Sequence, residues 1–403
     1  MYKTDFRVTT FPYRLYSGKN ALDKLPDEVT RLKAKRAFIL SGRTVSRKTP
    51  LISHMRNLLG AACAGFFDEM DKDTSRSSTL RAVEAARAAQ ADLLIGVGAG
   101  SVIQGTRIVA ILLAEKKPIE ELITRYPDNA PAISARLMER KLPIINVLTA
   151  PTSAQNRGGS RMKDDETSRA MEFFDPKTRP AAIFWDEDAL ATAPASLVRA
   201  TAAGVYCRTA ISLGGTAINP LVEGDRLQAY RLCAQALPRL AEAPGDIAPR
   251  YALCAATLLQ NREADDGGGT VDRLWVSRVA YALSTALIAF CPHVSQGEAY
   301  SVFMGTVTRR LGDRDPEAMV RIEQALGIRE AGLASAGAPQ RIADRLDEAF
   351  RSIGMPTRLS EVKIDRAVFP RLIEHSLRNF NADPKREFSR EPGMLAEVLD
   401  AAW

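Results

Sequence analysis

The most constraining stretch of the sequence is LLIGVGAGSVIQGTR, residues 93–107. An apolar run ends at Gly96, Gly98 and Gly100, and apolar residues spaced three and four apart follow. This pattern predicts a buried strand, a tight turn and a helix. Glycine lets the backbone approach a phosphate closely, and a helix N-terminus offers unpaired N–H groups to an anion. The turn could equally be a plain strand-to-helix connection, and the local pattern leaves both interpretations open.

The first half of the chain alternates between two kinds of apolar pattern. Short apolar runs predict strands at 36–42, 63–67, 92–98, 142–153 and 181–186. Apolar residues at helical spacing predict helices at 51–60, 77–91 and 105–114. Strands that alternate with helices predict a doubly wound parallel sheet. The glycine turn follows the third of these strands, whereas the usual nucleotide fingerprint follows the first, so a different nucleotide-binding arrangement is expected.

The second half of the chain has a different residue pattern. Long segments rich in Ala, Leu and Arg predict helices at 196–213, 226–241, 249–261 and 274–290, and EADDGGG at 263–269 predicts a loop. The sequence therefore predicts two domains: an α/β dinucleotide-binding domain over 1–190 and a helical domain over 191–403.

Composition excludes several classes of protein. The net charge of +7 is dispersed along the 403 residues, so nucleic acid is not an expected partner. No apolar run is long enough to span a membrane, and the N-terminus lacks the core of a secretory signal. The five cysteines lack paired spacing, which favours a reducing cytoplasm. Only three histidines occur, far apart, so a histidine-rich metal centre is not expected.

Further motifs occur in one order along the chain. They are FPYRLYSGKNALDKLPDEV (11–29), GAGSVIQGTR (98–107), APTSAQNRGGSRM (150–162), FWDEDALATAPASLVRATAAG (184–204), CPH (291–293) and MPTRLSEVKIDRAVFPRLIEHSL (355–377). Together they resemble the iron-containing alcohol dehydrogenases, most nearly the maleylacetate reductase branch. The first motif resembles the family's N-terminal strand and helix. The resemblance implies the dehydroquinate synthase-like fold, with an N-terminal α/β dinucleotide-binding domain and an all-α C-terminal domain.

The resemblance also implies a nicotinamide cofactor, NAD(P)H, at the glycine turn. Gly98, Ala99, Gly100 and Ser101 match the residues that meet the pyrophosphate. Gln104 stands where most members have an acidic residue on the nicotinamide side. Thr152 and Ser153 match the paired threonines that flank the cofactor.

Gly42 and Arg43 lie at the end of the first predicted strand, where many NAD-preferring members carry an Asp that holds the adenosine ribose. The negative charge is missing here and a positive one is added. Arg43 could pair with a 2′-phosphate, so we expect NADPH to be tolerated or preferred. An Arg43 side chain that lies in solvent is the alternative.

The family's metal ligands are an Asp or Asn, a His four residues later, and two His fourteen residues apart. Tyr206 and Ala210 stand at the first two positions and Val279 at the third, so His293 alone is retained. The additional His of many members is Leu283 here. One ligand in four cannot hold a divalent cation against water, and we therefore expect no bound metal.

Without a metal, another group must stabilise the developing alkoxide. His293 is the first candidate proton donor and Tyr206 the second. Arg208, Arg278 and Arg161 are candidates for binding a carboxylate substrate. Each has a structural alternative, since His293 could cap a helix, Tyr206 could fill the space of the metal, and the arginines could lie in solvent.

The sequence thus predicts a metal-independent, NAD(P)H-dependent reductase or dehydrogenase. We expect it to act on a small carbonyl or keto-acid substrate that is anionic, in the cytoplasm, as a homodimer. One alternative is a lyase or isomerase with no net redox change. The other is a catalytically degenerate binding subunit, which the lost ligands favour and the intact glycine turn opposes.

Overall fold

The computed structural model describes residues 4–6, 8–127, 132–167, 169–216, 219–265, 274–329 and 337–403. These residues form two compact units. The first, called the sheet unit, is Phe11–Pro194. The second, called the helical unit, is Ala195–Trp403 together with the residues up to Thr10.

The sheet unit contains a six-stranded parallel sheet, as predicted. Its strands are β1 (Arg14–Gly18), β2 (Ala37–Ser41), β3 (Cys63–Phe67), β4 (Leu93–Gly98), β5 (Ile144–Leu148) and β8 (Ala182–Asp186), in the order β1-β8-β5-β4-β2-β3. A separate antiparallel hairpin pairs β6 (Gly159–Lys163) with β7 (Ala170–Phe174). The central strands β2, β4, β5 and β8 are buried throughout, which explains their continuous apolar runs.

Helices cover both faces of this sheet. They are α1 (Leu25–Arg31), α2 (Arg43–Lys48), α3 (Leu51–Leu59), α4 (Arg76–Ala88), α5 (Gly100–Ala114), α6 (Ile119–Leu122) and α7 (Glu187–Ala191). Helices α1 and α3 pack with Ile39 and Ile95 on one face. Helices α4 and α5 pack with Phe38 and Leu94 on the other face, because successive strand residues point to opposite sides.

The spacing of apolar residues in the sequence does not predict two features of the sheet unit. Strand β1 lies at the edge and reads RLYSG, which lacks an apolar run, and only the family resemblance implied it. The β6–β7 hairpin was not predicted at all. With β1 counted, the glycine turn follows the fourth strand, so its predicted third position was wrong.

The described part of the helical unit contains helices and no strand, as predicted. These are α8 (Ala195–Ser212), α9 (Pro220–Glu242), α10 (Ala248–Asp265), α11 (Trp275–Phe290), α12 (Gln296–Leu311), α13 (Pro316–Ala325), α14 (Ala338–Ser352), α15 (Phe369–Leu377) and α16 (Pro392–Ala402). The predicted loop at 263–269 was wrong for 263–265, which continue α10, and 266–269 lie outside the described residues.

Helix α12 lies against α8, α11 and α14. It approaches α8 so closely at Gly297 that a Cβ there would lie 2.0 Å from the carbonyl oxygen of Ala200. Glycine is therefore required at this crossing. Within the described residues, no helix combines the length and apolar character needed to cross a bilayer.

Candidate active site

The glycine turn lies where the winding of the sheet reverses. Strands β2 and β4 are neighbours, and the chain leaves β2 toward α3 on one face and β4 toward α5 on the other. In open α/β sheets, such a reversal opens a crevice outside the carboxyl ends of the two strands, and ligands bind in it. Here the crevice has Gly42 on one side and Gly98 on the other, and we call it the switch-point crevice.

The N-terminus of α5 faces this end of the sheet. Gly100 is the first residue of α5, and Ala99 occupies the N-cap without a side-chain hydrogen bond. The first amide groups of a helix have no partner within it, and the helix dipole places a partial positive charge there. The turn thus presents backbone donors that suit a phosphate group.

Residues 69–75, which follow β3, pack against both sides of the crevice. The Met70 amide donates to the Ser41 carbonyl oxygen (3.1 Å), next to Gly42. The Asp73 amide donates to Ser101 Oγ (3.1 Å), at the start of α5. The segment therefore ties the end of β2 to the glycine turn.

The residues after β5 complete the same edge, because β5 is the other neighbour of β4. A Cβ on Gly100 would lie 3.3 Å from Thr152 Oγ1, and Ser153 follows, half-buried. One turn into α5, Gln104 Oε1 accepts a hydrogen bond from the Arg161 amide (3.0 Å). The structure thus brings together the predicted cofactor residues of three strand ends and places Arg161 beside Gln104.

Arg43 begins α2, directly after Gly42. Its Nη1 lies 2.9 Å from Asp71 Oδ1, and its Nη2 lies 3.3 Å from Glu69 Oε2. The predicted alternatives were a partner for a 2′-phosphate or a side chain in solvent. The Arg43 side chain is exposed, as in the second alternative, and two carboxylates pair with its guanidinium.

Arg107 is a buried cation that the sequence analysis did not single out. It lies on α5, is 1% exposed, and donates from Nε to Ser160 Oγ (2.8 Å) and from Nη2 to the Gly159 carbonyl oxygen (2.9 Å). Among the described residues no carboxylate pairs with it. Burial, with repulsion from Arg157 and Arg179, lowers the pKa of Arg107 to about 9. Arg107 therefore fastens the start of β6 to the helix that carries the glycine turn.

His293 lies in the turn between α11 and α12, and its side chain is exposed. Its Nε2 lies 3.1 Å from the Val362 carbonyl oxygen. A carbonyl oxygen can only accept, so Nε2 carries the proton, and Nδ1 is the nitrogen that can exchange one. A cavity of about 500 Å³ lies beside the ring, with Glu298 and Lys363 in its wall. Ser295, not His293, caps α12.

Tyr206 is buried in the packing between α8, α9 and α14. Its ring contacts Tyr230, with centroids 6.0 Å apart, and meets Phe350 edge to face at 6.1 Å. Burial and a hydrogen bond with Tyr230 raise the pKa of the Tyr206 hydroxyl. This environment supports the space-filling alternative and not a proton donor at neutral pH.

The residues at the family's ligand positions do not fit a divalent cation. Tyr206 is packed against aromatic rings, Val279 is fully buried and apolar, and His293 Nε2 is held by a carbonyl. In the part of the chain that the structure describes, no three His, Cys, Asp or Glu side chains are grouped to hold a metal ion.

Two predicted substrate arginines also lie in the helical unit. Arg208 is half-buried on α8, two residues beyond Tyr206. Arg278 is buried on α11 and donates to Asp383 (2.6 Å), Glu387 (2.6 Å) and the Ala382 carbonyl oxygen (2.7 Å). All three of its nitrogens are occupied, so the geometry gives Arg278 a structural role and no support for a substrate role.

The sequence analysis missed the acidic partners of Arg43. Glu69 and Asp71 come directly after the predicted strand at 63–67, at the carboxyl end where parallel sheets bind ligands. That signal could have identified them. Arg107 also had a signal, because it is the one charged residue of α5 and directly precedes the apolar run at 108–114.

A parallel sheet with a glycine turn at its switch point is the architecture found in nucleotide-binding α/β enzymes. The chain belongs to the iron-containing alcohol dehydrogenase family. Residues 12–187 match the model described as iron-containing alcohol dehydrogenase. Residues 212–399 match the model of the Fe-containing alcohol dehydrogenase family, C-terminal.

Similar proteins extend over almost the whole chain. Maleylacetate reductase 2 of Cupriavidus pinatubonensis is 26% identical over 401 residues, covering 99% of this chain and 97% of that protein. Long-chain-alcohol dehydrogenase 1 of Geobacillus thermodenitrificans is 22% identical, covering 96% and 93%. A crystal structure of 1,3-propanediol oxidoreductase matches the fold with a TM-score of 0.82 at 19% identity, covering 99% of both chains. The protein is an oxidoreductase of this family, and the resemblance stated from the sequence is confirmed.

Proposed function

We propose that the protein is a metal-independent, NAD(P)H-dependent reductase of a small anionic carbonyl compound, with a keto acid as the substrate class. The observation that carries the proposal is the switch-point crevice, where Gly42 and the glycine turn at Gly98–Ser101 lie at the neighbouring carboxyl ends of β2 and β4. A dinucleotide bound there would place its pyrophosphate on the uncapped amides of α5.

The choice of substrate class rests on similarity and charge. A relative that covers nearly the whole chain is named maleylacetate reductase. The chain carries a net charge of +7, which favours anionic small molecules as ligands. We keep the half-buried Arg161 and Arg208 as candidates for the substrate carboxylate and leave Arg278 out, because its donors are satisfied.

His293 is the proposed proton donor. Hydride for the carbonyl carbon of the substrate would come from a nicotinamide dinucleotide held by the glycine turn at Gly98–Ser101. The carbonyl oxygen then needs one proton, and protonated His293 can donate it from Nδ1 while Nε2–H stays on the Val362 carbonyl oxygen. This arrangement fixes the ring orientation and leaves one nitrogen for chemistry. Because the ligand positions do not fit a cation, no step is assigned to a metal.

The first experiment is a fluorescence titration of the chelator-treated protein with NADH and then NADPH. A matched pair of variants shows where the nucleotide binds. Gly100→Asp places a negative charge at the first residue of α5, which favours the helix dipole but repels a pyrophosphate. Gly224→Asp makes the same change at an exposed position of α9, where a Cβ would meet nothing within 4 Å.

We expect tight binding by the wild type and by Gly224→Asp, and a loss of at least about tenfold in Gly100→Asp, with thermal melting showing that each variant is folded. Failure of folded wild-type protein to bind either nucleotide would refute the proposal. Binding without NADH consumption across a screen of keto acids and aldehydes would favour the lyase or isomerase alternative. A tightly bound equivalent of metal that activity requires would refute metal independence.

A further inference from the structure

The ion pairs of Arg43 affect whether the switch-point crevice prefers NADH or NADPH. We propose that Glu69 and Asp71 hold Arg43 so that the site binds NADH, with its 2′-hydroxyl, in preference to NADPH, with its 2′-phosphate. This inference rests on the proposed function, because it assumes that a nicotinamide dinucleotide occupies the switch-point crevice.

Arg43 lies close to the end of β2. It follows Gly42 directly and starts α2, on the β2 side of the crevice. When a dinucleotide lies with its pyrophosphate on the helix after one strand, the adenosine ribose meets the end of the neighbouring strand. Strand β2 is that neighbour of β4, so the 2′ substituent of the ribose would lie near Arg43.

The Arg43 guanidinium is paired with two carboxylates at this position. Asp71 Oδ1 holds its Nη1 at 2.9 Å, and Glu69 Oε2 holds its Nη2 at 3.3 Å. Asp71 is itself anchored, since its Oδ2 accepts from Ser75 Oγ (3.2 Å) and its amide donates to Ser78 Oγ (3.3 Å). The carboxylate that holds Arg43 is therefore fixed by the N-terminal turn of α4.

The surrounding charges are balanced without any phosphate. Asp68 and Glu69 both pair with Arg47, at 3.2 and 3.3 Å, and Glu69 also lies 3.6 Å from Arg81. With Arg43 and Asp71, the cluster contains three carboxylates and three guanidinium groups. It has no surplus positive charge to offer an anion.

NADH and NADPH differ only at the 2′ position of the adenosine ribose. The charge cluster interacts favourably with a 2′-hydroxyl and unfavourably with a 2′-phosphate. A 2′-hydroxyl can donate a hydrogen bond to a carboxylate, as acidic residues at such positions do for NAD. A phosphate monoester brings a charge of about −2 close to the carboxylates and must compete with them for Arg43. The pairing therefore opposes the expectation, drawn from sequence alone, that Arg43 favours NADPH.

The test measures the dissociation constants of NADH and NADPH for full-length protein. In the wild type we expect NADH to bind at least about tenfold more tightly. In the double variant Glu69→Gln, Asp71→Asn, which releases Arg43, NADPH affinity should rise about tenfold or more. NADH affinity should not rise, because an amide oxygen is a weaker acceptor for its 2′-hydroxyl than a carboxylate. Adding Arg43→Gln to the double variant should remove this gain, and higher salt should reduce it.

Asp68→Asn is the matched control. It removes a carboxylate from the same cluster, but Asp68 pairs with Arg47 and not with Arg43. Its ratio of NADPH to NADH affinity should rise much less than that of the double variant, because Arg43 keeps both of its carboxylate partners. Thermal melting of all variants establishes that each is folded.

The outcomes separate this inference from the proposed function. Equal or tighter binding of NADPH by the wild type overturns the inference and leaves the function standing. The inference is also overturned if the folded double variant shows no gain in NADPH affinity. It is overturned likewise if the double variant gains NADPH affinity and the added Arg43→Gln change does not remove that gain. If folded wild-type protein binds neither nucleotide, the proposed function fails and this inference fails with it.

Discussion

Replacement of Arg278 by Met tests whether this buried cation holds the helical unit together or binds substrate. The guanidinium of Arg278 on α11 donates to Asp383, Glu387 and the Ala382 carbonyl oxygen, all within 2.7 Å. Asp383 is only 1% exposed, so loss of Arg278 leaves its carboxylate buried without its cation. Removing one partner of a buried ion pair costs about 3–5 kcal/mol.

We therefore expect Arg278→Met to lower the free energy of unfolding by about 3–5 kcal/mol, measured by urea denaturation at pH 7. For a unit of this size that loss corresponds to a fall in melting temperature of about 6–20 °C. Arg278→Lys keeps the charge but cannot reach all three acceptors at once, so its loss should be smaller. Asp383→Asn in the Arg278→Met background should restore part of the stability, because the buried charge is then removed.

Arg378→Met is the control. Arg378 pairs with Glu374 at 3.0 Å, and both side chains are largely exposed, so its loss should cost less than about 1 kcal/mol. The reasoning is refuted if Arg278→Met unfolds like the control. A normal unfolding curve combined with a raised KM for keto acids would instead restore the substrate role that the sequence suggested.

Three further predictions concern catalysis and stability. His293→Gln keeps a donor for the Val362 carbonyl oxygen but cannot transfer a proton, so kcat should fall by about 10²–10⁴ with NADH affinity unchanged, and wild-type kcat would contradict the assignment. Burial alone would raise the pKa of Glu28, but hydrogen bonds from Arg31, Tyr16 and Arg14 outweigh it and lower the pKa. The Glu28 carboxylate therefore contributes stability that is full above pH about 4.5 and is lost as pH falls through its lower folded pKa. Glu28→Gln should cost about 1–3 kcal/mol in urea denaturation at pH 7, and the cost should shrink as the pH is lowered below about 4.5. Gly224→Ala, at an open position inside α9, should raise the free energy of unfolding by up to about 1 kcal/mol, and a lower melting temperature would refute the open-space argument.

The elements that the sequence predicted are those whose identity depends on local periodicity. Strand β3 was predicted with the bounds it has, Cys63–Phe67, and α11 to within one residue, because each presents a continuous or helical apolar pattern. Strand β1 lacks such a pattern, since as an edge strand it contributes few buried side chains. The β6–β7 hairpin escaped prediction because β6 reads GSRMK, in which alternation is too short to register.

The candidate site likewise contains some features that a local sequence pattern predicts and others that depend on partners far away in the sequence. The strand, glycine turn and helix that form the switch-point crevice follow one another in sequence, so a local pattern could predict them. The partners of Arg43 lie 26 and 28 residues further along, and those of Arg278 more than 100 residues further, so no local pattern reveals them. Sequence alone identifies a cation; only the fold shows whether its charge is already neutralised. Both arginines were therefore given roles in ligand binding that their ion pairs do not support.

The proposed nucleotide site and the positions of the family's metal ligands belong to different units of the chain. The switch-point crevice is built by the sheet unit alone, from the strand ends at Gly42 and Gly98, and is the proposed site of the dinucleotide. The positions of the lost metal ligands belong to the helical unit, where Tyr206 is packed against Tyr230 and Phe350. A substitution such as Tyr206→Phe should therefore leave nucleotide affinity unchanged, whatever it does to turnover. If it changes turnover without changing the melting temperature, the Tyr206 hydroxyl takes part in catalysis after all; if it lowers only the melting temperature, that hydroxyl serves packing.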